Sequence, residues 1–420
     1  MKWLERLDNF LGSAVRFSEK DSFKYILLLL FLLFCSSIQI IDDFSVLGKL
    51  KDVYLTIVPL YLFIVMWKKA QFKLDINIIF IFLAIFSVIS MLWSISMILT
   101  IKSSILLVGS TIIAIFIGKN YSKKEIFRIL LLWFLLLMVI NLLAVVFHIG
   151  DVYQVDEIRY TNAAKGIFKH RNTLGFYMTL GASIALWNII EFKRNLKLKR
   201  TCLAVLIGSL ILLYMSKSMT SMILAVGLFL LVYLTRNKKF NKILIYSILP
   251  ILIISVYTIT YQPEWFVNFL LSIGRNPTFT GRSFIWQGAI KAIEYKFISG
   301  FGFNSFWNTN PYTYYFILPA YEVIPVFAHN GYLDLMIDFG IIGTLVALSL
   351  FPIILNKIRK LTELKNFDNY KYVTYSLSYI VFILIYNLME SSIVKQGSTM
   401  YLLLIVFSNV IWTISKEQKV

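Results

Sequence analysis

The chain has 420 residues, of which 59% belong to the hydrophobic set AVILMFWYC, and its formal net charge is +19. A soluble chain of this length would form about two or three domains, whereas here apolar runs recur with only short charged breaks. Lysine and arginine are concentrated in alternate breaks, which does not indicate a nucleic-acid-binding face. Composition therefore predicts an all-α integral membrane protein and excludes a soluble enzyme or a nucleic-acid-binding protein.

The predicted elements, in chain order, are about 12 transmembrane helices, since a span needs roughly 20 residues. Their expected bounds are 25–41, 48–67, 77–95, 100–118, 127–148, 172–190, 201–215, 219–235, 243–260, 331–351, 372–390 and 398–415. The apolar stretch from Thr201 to Leu234 is too long for one span, and Ser216-Lys217-Ser218 breaks it at a predicted helical hairpin. We expect a single polytopic membrane domain over residues 1–420. No small-residue cleavage pattern follows the first apolar run, so we expect it to be a retained span.

The distribution of positive charge predicts the orientation. Roughly two thirds of the lysines and arginines fall in breaks that share a side with both termini, and the positive-inside rule places that side in the cytoplasm. The opposite side then has two substantial segments, about 149–171 and 261–330. We expect the second to be one long, partly helical extracytoplasmic loop that carries the active site. Its predicted helices are an interfacial one near Trp265 and a second after Arg282.

The strongest local motif of this loop runs from Gly274 to Trp286. Arg275 and Arg282 flank a Thr280-Gly281 turn that is predicted to start the next helix. Arginine binds phosphate with a planar fork of donors, and a helix N-terminus adds N–H groups and a favourable dipole. The pattern indicates a phosphate-binding site. The alternative is that these arginines snorkel to lipid headgroups.

A second motif, Ala328-His329-Asn330-Gly331, lies where the loop re-enters the membrane. A histidine titrates near neutral pH, so His329 is a candidate to take a proton from a sugar hydroxyl. The alternative is a polar helix end. Asp334 and Asp338 follow at a spacing that places them on one helix face. They would orient His329, pair with an arginine, or form a solvated first turn.

A third motif, Lys165 to Gly175, gathers basic groups at the mouth of the sixth predicted span. The positive-inside rule disfavours four basic side chains on the outer side. Their presence there indicates an anionic partner, either a substrate diphosphate or anionic lipid. They are Lys165, Lys169, His170 and Arg171. The outer segments contain no Asp-x-Asp pair, His/Cys cluster or Gly-rich phosphate loop. We therefore expect no metal and no cofactor.

These motifs resemble the O-antigen ligase/polymerase superfamily of bacterial membrane glycosyltransferases. Asn276 to Trp286, followed by Gly300 to Trp307, looks like exopolysaccharide polymerases of the ExoQ type. Gly166 to Gly175 is similar to that group's motif, which usually has lysine at the position of Arg171. His329-Asn330, followed by Gly340 and Gly343, fits the O-antigen ligase signature, which the polymerases share. Lys217-Ser-Met-Thr stands where the family often shows Ser-Arg-Thr. The resemblance covers most of residues 80–350.

The resemblance implies a metal-independent polymerase of polyprenyl-diphosphate-linked oligosaccharides in the bacterial cytoplasmic (inner) membrane. The lipid-linked glycan would be both donor and acceptor. His329 would be the general base, with inversion at the anomeric carbon, and Arg282 would stabilise the leaving diphosphate. The other expected diphosphate ligands are Arg171, Arg275, His170, Lys169 and Lys217.

Three aromatic residues, Trp286, Trp307 and Tyr314, are candidates to stack on sugar rings, and the alternative is packing and interface anchoring. Asn330 and Asp334 would support the site. The further expected partners are membrane lipids, a flippase and a chain-length regulator, with no nucleic acid.

Two other functions stay open from the sequence. One is an O-antigen ligase that transfers the glycan to lipid A core or protein. The other is a transporter of lipid-linked sugars, which should show inverted repeats and Gly/Pro-broken helices in matching halves. The sequence shows no clear pairing of that kind.

Overall fold

The computed structural model of the chain describes residues 21–34, 38–39, 45–69, 71, 75–156, 161–192, 196–274, 276–279, 281–308, 310–319, 325–364 and 369–419. Arg275, one of the predicted phosphate ligands, lies outside the described residues.

The described chain is almost entirely helical. Its helices are α1 Asp21–Phe34, α2 Ser45–Lys68, α3 Asn77–Ile89, α4 Met97–Asn120, α5 Lys123–Val146, α6 Arg171–Glu191, α7 Leu196–Met215, α8 Met219–Leu234, α9 Lys238–Tyr261, α10 Glu264–Ser272, α11 Arg282–Tyr295, α12 Pro311–Phe316, α13 Gly331–Glu363, α14 Tyr370–Tyr386 and α15 Thr399–Glu417. A two-stranded antiparallel hairpin, β1 Tyr153–Asp156 and β2 Thr161–Ala164, interrupts the helices. The sequence analysis did not predict these strands.

Each of the 12 predicted spans overlaps one of these helices. Eight helices are long and apolar enough to cross a membrane, namely α2, α4, α5, α6, α7, α9, α13 and α15. Among the shorter ones, α1, α3 and α8 are also apolar. The chain is therefore an all-α, multi-pass membrane protein. That the four other predicted spans, which correspond to α1, α3, α8 and α14, cross the membrane stays a prediction.

By its contacts the chain divides into two compact units. The first takes its described residues from Met1–Lys73, Ile112–Lys238 and Leu364–Phe382, and the second from Leu74–Thr111, Lys239–Glu363 and Ile383–Val420. The single domain over residues 1–420 stays a prediction.

In the first unit, α6 packs against α5, α7 and α8. The close approach of α5 and α7 depends on Gly208, since a Cβ there would lie 2.4 Å from the Met138 sulfur. Ser216-Lys217-Ser218 forms the tight turn between α7 and α8, as predicted, with Lys217 at φ 48°. The Ser218 hydroxyl then caps α8 by accepting from the Ser221 N–H.

In the second unit, the described residues of the loop 261–330 pack against α13. The helices α10 and α11 form where the sequence predicts them. The inner face of α11, including Ile285, Ala289 and Ala292, joins Phe301 and Ile337 in a buried apolar cluster. The long loop is therefore a packed part of this unit, held on the first turns of α13.

The helix α13 is broken at Gly340, which adopts φ 61° and ψ −165°. The segment between Phe297 and Phe301 supplies hydrogen-bond partners at the break. The Phe301 N–H donates to the Ile337 carbonyl at 2.7 Å, and the Ile341 N–H donates to the Phe297 carbonyl at 2.9 Å. These bonds replace intrahelical ones, so the backbone groups at the break stay paired. A Cβ on Gly340 would lie 2.1 Å from the Ile298 carbonyl oxygen.

The substitution Gly340→Ala should therefore destabilise the protein. We expect a loss of at least about 2 kcal/mol, because this backbone conformation is confined to glycine and the Cβ would meet a carbonyl oxygen. The measurement is the thermal unfolding midpoint of the detergent-solubilised protein. Gly227→Ala is the matched control, since nothing lies within 4 Å of a Cβ there in α8. A Gly340→Ala midpoint equal to that of wild type would contradict this account of the break.

Candidate active site

Arg282 is the first residue of α11, directly after Gly281 at φ 89°. Its guanidinium donates from one terminal nitrogen to the Met389 carbonyl at 2.5 Å and from the other to Glu390 Oε1 at 3.0 Å. The prediction that a helix starts at this arginine is confirmed. Its guanidinium is held by a segment that the sequence analysis did not assign to the site.

The N-terminus of α11 offers less to an anion than the sequence analysis expected. The Ser283 N–H donates to the Thr278 carbonyl and the Phe284 N–H to the Gly281 carbonyl, each at 3.2 Å. The preceding turn therefore occupies two of the helix-end donors. What remains for a phosphate here is the other helix-end N–H groups, the helix dipole and the Arg282 side chain.

His329 meets the same carboxylate from the other side. Its Nδ1 lies 3.3 Å from Glu390 Oε2, while Arg282 holds Oε1. With Nδ1 donating to the carboxylate, Nε2 carries the lone pair that can take a proton. His329 also adopts φ 53°, a left-handed backbone conformation that is uncommon for residues other than glycine and concentrates at functional sites.

Glu390 is the most enclosed of the three side chains. It is 13% exposed, against 15% for Arg282 and 28% for His329. Burial alone would raise the pKa of Glu390, but the hydrogen bond with His329 and the positive charge of Arg282 outweigh it and hold that pKa below its ordinary value. Glu390 is therefore ionised at neutral pH.

Ala328, the residue before His329, is held at both of its backbone polar groups. The Ala328 N–H donates to Asp334 Oδ1 at 3.0 Å, and the Ala328 carbonyl accepts from the Trp286 indole at 2.9 Å. Asp334 also accepts from the Trp307 indole at 2.7 Å. Asp334 therefore supports His329 through the backbone, while the carboxylate on the imidazole is that of Glu390.

Asn330 begins α13. Its Oδ1 accepts from the Tyr332 N–H at 3.1 Å, and its buried Nδ2 has no hydrogen-bond partner among the described residues. The neighbouring Gly331 N–H donates to the carbonyls of Asn387 and Glu390 at 2.9 and 3.0 Å. These bonds fix the start of α13 to the segment that carries Glu390.

The three predicted sugar-stacking residues differ in exposure. Trp286 is fully buried, Trp307 is 7% exposed, and Tyr314 is 47% exposed. Since Trp286 packs in the apolar cluster and donates to Ala328, we give it a positioning role. Trp307 and Tyr314 remain candidates for contact with sugar.

The sequence analysis missed Glu390, together with Ser391 and Lys395 that follow it. Glu390 lay at the end of the predicted span 372–390, whereas α14 already ends at Tyr386. An acidic residue inside a predicted span is costly unless it is paired, and that signal could have identified it.

The remaining predicted diphosphate ligands belong to the first unit. His170 caps α6, with Nδ1 accepting from the Asn172 N–H at 3.1 Å, and the Arg171 N–H donates to Gln154 Oε1 at 3.2 Å. Lys169 and Lys217 are exposed. That these groups close one pocket with Arg282 and His329 stays a prediction.

Lys165 forms an ion pair within the first unit. Its ammonium is mostly buried and pairs with Asp151 Oδ2 at 2.6 Å. The sequence analysis counted it with the outer basic groups that would attract an anion. Its charge is instead balanced by a neighbouring carboxylate.

Residues 202–348 match the family model described as O-antigen ligase. This segment is about a third of the chain, and the match supports the resemblance to the O-antigen ligase/polymerase superfamily. No curated protein shows a significant match to the chain.

The O-antigen ligase segment includes Arg282, His329 and Gly340 and ends within α13. Glu390 and Lys395 lie beyond it, so the carboxylate of the site comes from outside the matched residues. In the part of the chain that the structure describes, no group of three or more His, Cys, Asp or Glu side chains is arranged to hold a metal ion. The closer likeness to polymerases of the ExoQ type stays a prediction.

The charged contacts of Glu390 give a pH dependence of stability. Because its folded-state pKa lies below the ordinary 4.5, its stabilisation is present above pH 4.5 and is lost as pH falls through the folded pKa. We expect the thermal midpoint of wild type to exceed that of Glu390→Gln at pH 7, with a gap that closes below pH 4.5. Glu294→Gln, at an exposed position of α11, is the control and should show no gap. A gap that persists at acid pH would contradict the assignment.

Proposed function

We propose that this protein is a metal-independent membrane glycosyltransferase that polymerises polyprenyl-diphosphate-linked oligosaccharide repeat units. The donor and the acceptor are both lipid-linked glycans, and the product is a surface polysaccharide. The site lies in the loop 261–330, on the outer face of the bacterial cytoplasmic membrane, with both termini in the cytoplasm. Membrane lipids, a flippase and a chain-length regulator would be its partners.

One observation carries the proposal. Arg282 and His329 are bound to the two oxygens of the Glu390 carboxylate, at 3.0 and 3.3 Å. An anion-binding side chain and a base are thereby placed next to one another. Transfer of a glycosyl group from a diphosphate needs both, one for the leaving group and one for the attacking hydroxyl.

In the proposed reaction, Nε2 of His329 takes the proton of an acceptor hydroxyl as the oxygen attacks the anomeric carbon of the donor. The bond between that carbon and the diphosphate oxygen breaks, and its electron pair leaves with the polyprenyl diphosphate. Attack opposite the leaving group inverts the anomeric centre. Glu390 holds the imidazole in the tautomer with a free Nε2 and stabilises the imidazolium that forms.

Arg282 would receive the leaving diphosphate. Among the described residues, its contacts with Met389 and Glu390 use two of its five N–H donors, so three remain for phosphate oxygens. A preorganised donor at developing negative charge contributes on the order of 10²-fold or more in rate. We propose that the further diphosphate ligands are Arg171, Arg275, His170, Lys169 and Lys217.

The O-antigen ligase match supports a second candidate. A ligase would use the same donor, base and arginine but would transfer the finished glycan to lipid A core or protein. The two candidates differ in the acceptor and therefore in what accumulates when the site fails.

The test is to express His329→Gln and Arg282→Gln in the native host and to separate the lipid-linked and surface glycans on gels. A polymerase predicts single repeat units in place of polymer, because chain growth stops. A ligase predicts polymer retained on the lipid carrier. The expected loss of polymer is at least about 10²-fold for each variant, since each removes a group that acts in the transition state.

His148→Gln is the matched control, because His148 is exposed and has the same φ of 53° as His329. Its glycan should equal that of wild type. Unchanged glycan in both test variants would refute the transferase. Repeat units trapped on the cytoplasmic leaflet would instead support transport.

A further inference from the structure

A cleft opens in the second unit beside His329. It is a shallow cleft that is open to solvent at its mouth. Two aromatic side chains, Trp307 and Phe327, line it together with the polar groups of Asn304, Asp338 and Lys395. Such a combination of apolar faces and convergent polar groups is typical of a small-ligand site.

Phe327 connects the cleft to the candidate base. Its ring centroid lies 4.3 Å from that of the His329 imidazole, and the same ring lines the cleft. A ligand in the cleft is therefore separated from His329 by the edge of one side chain.

Lys395 provides the positive charge of the cleft. Its Nζ lies 4.1 Å from the centroid of the Phe327 ring, and no acceptor bonds to this ammonium among the described residues. Burial holds the pKa of Lys395 below its ordinary value, although the negative charges of Asp334, Glu390 and Asp338 oppose that effect. The ammonium is thus balanced by carboxylates and still has N–H donors to offer a ligand.

The carboxylates of Asp334 and Asp338 differ in how many hydrogen bonds they accept from the protein. Asp334 accepts from the Trp307 indole, the Ala328 N–H and the Ser391 hydroxyl. Asp338 accepts from the Asn304 N–H at 3.0 Å. Asp338 therefore keeps lone pairs for a further donor on the cleft wall, while Asp334 is saturated by the protein.

We propose that this cleft binds the terminal sugar of the acceptor glycan, and that this sugar carries no negative charge. The inference rests on the proposed function, of which it names the acceptor site and the substrate class. Both a donor, Lys395, and an acceptor, Asp338, suit the hydroxyls of a neutral sugar, and Trp307 and Phe327 suit its apolar face. A uronate or phosphorylated sugar would bring its negative charge to a cleft whose lining holds two carboxylates, those of Asp334 and Asp338, against the single ammonium of Lys395.

The test is saturation-transfer-difference NMR on the full-length protein in lipid nanodiscs. The probes are the methyl glycosides of glucose, galactose, mannose and N-acetylglucosamine, with methyl glucuronide as the charged counterpart. At least one neutral glycoside should bind to wild type, and the glucuronide should bind at least about tenfold more weakly. This comparison needs no variant.

Lys395→Met should weaken binding of the neutral glycoside by about tenfold, and Lys395→Arg should restore it to within a few-fold, because it keeps a charged donor. Lys291→Met is the control, since Lys291 is exposed on α11. The inference is overturned if no neutral glycoside binds, if the glucuronide binds equally well, or if both Lys395 variants bind as wild type does.

His329→Gln separates this inference from the proposed function. It should abolish polymer in the host yet leave glycoside binding within a few-fold of wild type. Binding without any effect of His329→Gln on the glycan would refute the transferase and keep the cleft. Loss of polymer without glycoside binding would refute the cleft and keep the transferase.

Discussion

A buried carboxylate organises the candidate site, since Glu390 receives Arg282 on one oxygen and His329 on the other. Without this carboxylate, the Arg282 guanidinium and the His329 imidazole would repel each other whenever the imidazole takes a proton. The negative charge between them removes that penalty and selects the tautomer of His329. The same contact draws the segment after α14 onto the loop before α13, so parts of the sequence about a hundred residues apart form one site.

The backbone around His329 is fixed by bonds that reach it from several directions. Asp334 and Trp286 clamp the Ala328 peptide, and Gly331 donates to the carbonyls of Asn387 and Glu390. Further along α13, the break at Gly340 admits the segment around Gly300. These contacts together can hold His329 in its left-handed backbone conformation. The close approach of neighbouring atoms explains why glycine occupies positions 300, 331 and 340.

The sequence predicted the helices well because apolar runs of membrane length leave little choice of structure. It also singled out Arg282 and His329 as candidates, because an arginine can bind phosphate and a histidine can act as a base near neutral pH. Sequence reasoning could not assign the side chains whose role depends on a partner that is distant in the chain. Glu390 was placed at the end of a span, and Trp286 was left open between stacking on sugar and packing, because their partners are far away in the chain. The β1–β2 hairpin was missed because its short strands carry no strong alternation.

The most direct test of this account is a double-mutant cycle between Glu390 and His329, measured as the initial rate of glycan transfer in host membranes. If Glu390 acts through His329, Glu390→Gln should slow transfer by about tenfold or more in the wild-type background and by less than about threefold when His329→Gln is already present. An equal loss in the two backgrounds would show that the residues act independently and would contradict the account.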